Sequence, residues 1–244
     1  FYAGAIWAMY MALEPFMRRR GSNLIVSWAR LLERRVRDPL ISRDVLIGLT
    51  MGSVIAGLSV GARYLVEPLG GSATEPLGLA FLSQLHGLRW SLASFGNEHL
   101  LRVLEAVQFT FFFLVVQRAL GWLLGAVLHE RTASRVATIA AVVIFLVLMV
   151  GSANLPTPRD PVWLNLATRL LLVAGLLTAL LRFGLICGSV YLIITWLLVA
   201  TPFTMSLGSW YAQPTLVALS IAVGSAVVST VYALGGPKVL SRMV

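Results

Sequence analysis

The chain is expected to be all-α: a polytopic transmembrane helical bundle of about seven spans, the first truncated, with an interfacial amphipathic helix. Three observations point there. Only 12% of the 244 residues are charged and 58% are hydrophobic, with a mean hydropathy of +0.86; soluble domains carry roughly 25% charged residues. A water-soluble chain of this length could not cover its surface with so few charges, whereas a lipid-facing surface needs none. The apolar runs are also continuous rather than alternating, which argues against a β-barrel. Finally, eight arginines (Arg18, Arg19, Arg20, Arg30, Arg34, Arg35, Arg37, Arg43) of the 19 Lys+Arg fall between Leu13 and Ile47, with apolar runs on either side. Basic residues near span ends stay on the cytoplasmic side during insertion. The chain therefore divides into a truncated span at 1–13, a basic cytoplasmic connector at 14–43 and a six-span membrane domain at 44–244.

Taken in order, the first segment ends at Glu14-Pro15, because the residue before proline avoids the α region. Trp7 and Tyr10 suit a membrane interface. Phe1 already lies inside an apolar run with no signal-peptide n-region before it, so a fragment of a longer chain is expected. From Ser22 to Arg37, Leu24, Ile25, Trp28, Leu31, Leu32 and Val36 recur at helical spacing, with Arg30, Arg34 and Arg37 between them. Such a helix is expected in the headgroup region, with Arg18, Arg19, Arg20, Arg30, Arg34 and Arg37 contacting lipid phosphates. The alternative is an ordinary cytoplasmic helix packed on the bundle. Asp38-Pro39 breaks it.

The second segment runs from about Asp44 to Arg63 or Val66. Gly48/Gly52 and Gly57/Gly61 each share a helix face, a spacing that permits close helix–helix approach within the bundle or in a homodimer. Residues 67–97 are a long connection, with a short surface helix over Leu77–Leu92. The third segment, about Glu98 to Leu128, exceeds the ~20 residues that a bilayer requires. Arg102 and Glu105 are spaced to pair. Gln117 and Arg118 are expected near mid-span, where a charge faces protein or a cavity. With Glu105 and Arg169 they form the intramembrane polar set. His86 and His99 are too isolated for a metal site.

A polar turn at 129–135 leads to a fourth segment at Val136–Ser152. Three prolines stiffen the loop at 154–161. The fifth segment is Val162–Leu181, followed by a tight turn at Arg182-Phe183-Gly184. The sixth is Leu185–Ala200 and the seventh Thr215–Leu234. Alternation from the basic connector places 129–135, 182–184 and 237–244 in the cytoplasm. These are the basic connections, as the positive-inside rule requires.

The net charge of +9 sits beside the spans, where anionic lipid headgroups account for it better than nucleic acid. Cys187 cannot form an internal disulfide and has no metal-site spacing; a small buried residue is expected there. No phosphate-binding loop, zinc motif, nucleophile elbow or kinase signature occurs. The segment itself is expected to be non-catalytic, with no cofactor and no metal.

Ala12–Arg20 (ALEPFMRRR), Val26–Leu32 (VSWARLL) and Arg37–Gly48 (RDPLISRDVLIG) follow one another at close spacing. Together they resemble the C-terminal membrane region of bacterial serine/threonine protein kinases of the acidobacterial type. The match is sharp over residues 12–48 and rests on hydropathy and length beyond. The resemblance implies a membrane-anchoring and signal-sensing domain of the inner membrane, attached to an upstream Hanks-type kinase domain. ATP and Mg are implied only for that domain. A small-solute transporter or channel is the competing expectation: it requires Glu105, Gln117, Arg118 and Arg169 to converge on one polar cavity.

Overall fold

The computed structural model describes residues 4, 7–9, 11, 26–64, 87–126, 128–151, 162–201, 203, 206, 208, 209 and 212–235. Among the described residues, seven α-helices are delimited in order: α1 (Val26–Leu32), α2 (Pro39–Tyr64), α3 (Leu88–Gly125), α4 (Glu130–Gly151), α5 (Val162–Thr178), α6 (Leu185–Ala200) and α7 (Gln213–Ala233). There is no strand among the described residues. Among the described residues, five helices are long and apolar enough to cross a membrane, and α6 is a shorter apolar helix. The expected first span falls mostly outside the described residues, of which 4, 7–9 and 11 are helical.

Helix α6 is the centre of the bundle. Ten of its 16 residues are buried, from Leu185 to Ala200. At 1.5 Å per residue it is roughly 24 Å long, short of a ~30 Å hydrocarbon core. Its neighbours rather than lipid cover it, which is why a short helix suffices. The most extensive packing is between α2 and α6. There, a Cβ on Gly48 would come within 2.7 Å of the Cys187 carbonyl oxygen, and one on Gly52 within 2.9 Å of the Tyr191 carbonyl oxygen. Four residues along α2 therefore match four along α6, so the two helices run parallel. The expected glycine-face packing holds for this pair. Within the chain it does not extend to Gly57 and Gly61, whose Cβ positions meet nothing within 4 Å among the described residues. Cys187 is buried, as expected of a small core residue.

Helices α3 and α4 run antiparallel, with Phe109 and Phe113 edge-on to Phe145 at 5.6 and 6.5 Å. Tyr191 donates its hydroxyl to the Leu172 carbonyl across α5 and α6 at 2.8 Å, and Gly175 leaves the room this takes. The large apolar side chains left exposed, such as Ile139, Val147, Val223 and Val227, form the outer surface that a bilayer would cover.

Several element boundaries differ from the sequence expectation, each for a local reason. The basic helix ends at Leu32 rather than Arg37. Arg34 adopts φ 61°, and its N–H bonds Leu31 O while Arg35 N–H bonds Arg30 O, the paired bonds of a Schellman stop. The second span begins at Pro39 rather than Asp44, because Asp38 caps it: Asp38 Oδ1 accepts the Leu40 N–H at 2.9 Å, and proline is well suited to the first helical turn. Helix α3 begins at Leu88, absorbing the end of the surface helix expected over Leu77–Leu92; the rest of that stretch lies outside the described residues. Helix α4 takes in most of the expected polar turn. The turn at 182–184 is made by a π-helical segment, Ala179–Phe183, and Gly184 at φ 103°, a conformation that favours glycine.

Candidate functional site

The basic end of the bundle is built first by α1. Arg30 Nη1 donates to Asp38 Oδ2 at 2.7 Å. Ser27 donates its hydroxyl to Asp44 Oδ2, and Arg43 donates to Asp44 Oδ1 from Nε at 3.1 Å and Nη2 at 2.9 Å. Asp44 is 1% exposed, so its charge is tolerated only because these donors meet it. Trp28 packs against the cluster of Val107, Leu180 and Tyr191. The Ser27–Trp28 side of α1 therefore faces the bundle, while Leu32 and Val36 are exposed. Arg37 lies over the Tyr232 ring at 5.9 Å, which brings the end of α7 to the same end of the molecule. Of the arginines expected at headgroups, Arg30, Arg34 and Arg37 are at this end. Arg18, Arg19 and Arg20 lie outside the described residues.

A second polar cluster lies toward the opposite end, on α3. Glu98, Arg102 and Glu105 share one helix face by their spacing of four and three. Arg102 Nη1 donates to Glu105 Oε2 at 2.7 Å, and Nη2 to Glu98 Oε2 at 3.0 Å. The guanidinium also sits over the Trp196 ring of α6 at 4.4 Å. Pairing and ring contact together make a charge tolerable at this depth. Phe95, Glu98, His99, Arg102, Trp196 and Thr201 surround a cavity of about 10 Å³, enough for one water-sized molecule. Arg102 Nε and the Thr201 hydroxyl are buried without a hydrogen-bond partner among the described residues.

Glu105, Gln117 and Arg118 of the intramembrane polar set have separate surroundings. Glu105 pairs with Arg102, as expected. Gln117 donates to the Thr138 hydroxyl of α4 at 2.7 Å. Arg118 is exposed and lines a groove between the C-terminal end of α3 and the start of α4. The thirteen residues from Glu105 to Arg118 correspond to roughly 20 Å along a helix. Arg102 lies beside Trp196, near the far end of α6, so Arg118 lies near the basic end rather than at mid-span. The sequence misplaced it because the helix extends ten residues further toward its N-terminus than the apolar run suggested. Arg169 is half-buried on α5.

Sequence reasoning missed Asp44, Ser27, Trp196 and Thr201. Asp44 looked like a span boundary, and its burial depends on α1 folding back. Trp196 looked like one more apolar residue of α6. No group of three or more His, Cys, Asp or Glu side chains that could hold a metal occurs among the described residues. No family model, no curated protein and no solved structure matches this chain.

Proposed function

We propose that the chain is a non-catalytic membrane domain that anchors a cytoplasmic bacterial serine/threonine protein kinase and senses a signal in or beyond the membrane. The observation that carries this reading is the attachment of α1. The Ser27–Asp44 and Arg30–Asp38 bonds tie the basic connector to the first turns of α2, and α2 is packed along the central helix α6. A change in how α2 sits against α6 therefore moves the connector that leads toward the N-terminal side. The sequence resemblance over residues 12–48 supports the kinase assignment. In this reading the basic end faces the cytoplasm of an inner membrane, and the upstream kinase domain and anionic lipid are the partners.

Two experiments test it. Sequencing the coding region on the N-terminal side of Phe1 should reveal a Hanks-type kinase domain; an unrelated domain there overturns the kinase assignment. In that parent chain, replacing residues 44–244 with an inert span should alter kinase signalling while leaving the protein in the membrane. Normal signalling from the replaced chain removes the sensing role and leaves anchoring alone.

A further inference from the structure

At the basic end, the groove between α3 and α4 has about 880 Å³ of space. Arg118 and Trp122 come to it from α3, and Arg131 and Arg135 from the first turns of α4. Among the described residues that line it there is no carboxylate. All three arginines are exposed, and among the described residues none has an ion-pair partner. Elsewhere among these residues the arginines with charged partners meet Asp or Glu: Arg30, Arg35, Arg43 and Arg102. Three unpaired guanidinium groups around one groove repel one another unless an anion lies between them.

The walls of the groove are made by sequence. Gly121 and Gly125 stand one turn apart on α3; a Cβ on Gly125 would meet nothing within 4 Å, and one on Gly121 only Ala137 at 3.9 Å. Larger residues there would occupy the opening. One turn deeper, the Gln117–Thr138 bond at 2.7 Å ties the two helices together, which fixes the spacing of the arginines. Trp122 is 80% exposed, and tryptophan is a residue type suited to a membrane interface. Beyond the groove, Val136, Ile139 and Val143 continue along α4 as an exposed apolar strip.

We propose that this groove binds the phosphate of an anionic phospholipid. The arginines and Trp122 hold the headgroup, and the acyl chains run along Val136, Ile139 and Val143. A free phosphate ion would use the arginines alone. Ile139 stands one turn beyond Arg135 on α4 and is exposed with Val136 and Val143, and this adjoining apolar strip is what favours the lipid. The site is separate from the arginines of the connector and does not depend on the kinase assignment.

Native mass spectrometry of the purified chain, with graded phosphatidylglycerol or phosphatidylcholine, tests this. The chain should retain phosphatidylglycerol in clear preference to phosphatidylcholine. Each of R118Q, R131Q and R135Q should weaken phosphatidylglycerol retention about five-fold, as expected for one interfacial cation on an anionic surface. G125L should weaken it while keeping every charge, which separates a filled groove from lost charge. R89Q, at the other end of α3, should change nothing. Circular dichroism on each variant confirms that the helices are intact. Equal retention of both lipids, no effect of G125L, or displacement of the lipid by millimolar inorganic phosphate would each overturn the assignment.

Discussion

Asp38 shows how one side chain sets an element boundary. Its carboxylate accepts the Leu40 N–H and then pairs with Arg30. The Leu40 hydrogen bond is the largest influence, and with the Arg30 and Arg35 charges it outweighs desolvation and holds the carboxyl below its ordinary value of 3.8. A depressed folded-state value means that the contribution is complete above the ordinary carboxylate range and is lost as pH falls through the folded value. Thermal unfolding in detergent should therefore fall more steeply below about pH 4 in the natural chain than in Asp38→Asn, which keeps the cap without the charge. Equal slopes would show that Asp38 is not the group responsible. Asp38-Pro39 was legible in the sequence as a break. That the same pair also starts a span was not, because a cap and a break share residue types and differ only in where the next N–H groups point.

Among the helices, the α2–α6 contact separates glycines that look identical in the sequence. Gly48 and Gly52 lie against the backbone of α6, and Gly57 and Gly61 meet open space. Gly48→Val or Gly52→Val should lower stability by about 1–3 kcal/mol through overpacking. Gly57→Ala should be neutral or slightly stabilising, since alanine is the better helix former. Chemical denaturation followed by circular dichroism in detergent distinguishes these outcomes; equal losses at Gly52 and Gly57 would mean that the close approach of α2 and α6 is not what the glycines serve. The sixth segment, Leu185–Ala200, was legible to the residue, because Gly184 and Pro202 bracket an uninterrupted apolar run. The ends of α3 were not, since its first turns carry the same polar residues as a surface helix. Only contact with α6 shows that Arg102 belongs inside the bundle.

For the molecule as a whole, the parallel course of α2 and α6 and the contact of Arg37 with Tyr232 bring the connector at 33–38, the turn at Gly184 and the end of α7 together. The antiparallel α3–α4 pair adds the end of α3 and the start of α4 to that end. Cysteines introduced at Arg35, His129 and Arg182, with Cys187 replaced by serine, should react with an impermeant reagent from one side of the membrane. Cysteines at Trp90 and Phe203 should react from the other. Mixed labelling within either set would break the alternating topology. The membrane class and the approximate spans follow from composition and apolar run length alone, because transfer into lipid sums over residues whatever their neighbours. Which glycine is a contact, which aspartate is buried and which arginine is left unpaired follow from partners distant in the chain. Thr195 and Gly52, for example, are 143 residues apart and joined by one hydrogen bond. Such pairings depend on the register between packed helices, and no local pattern of residues encodes that register.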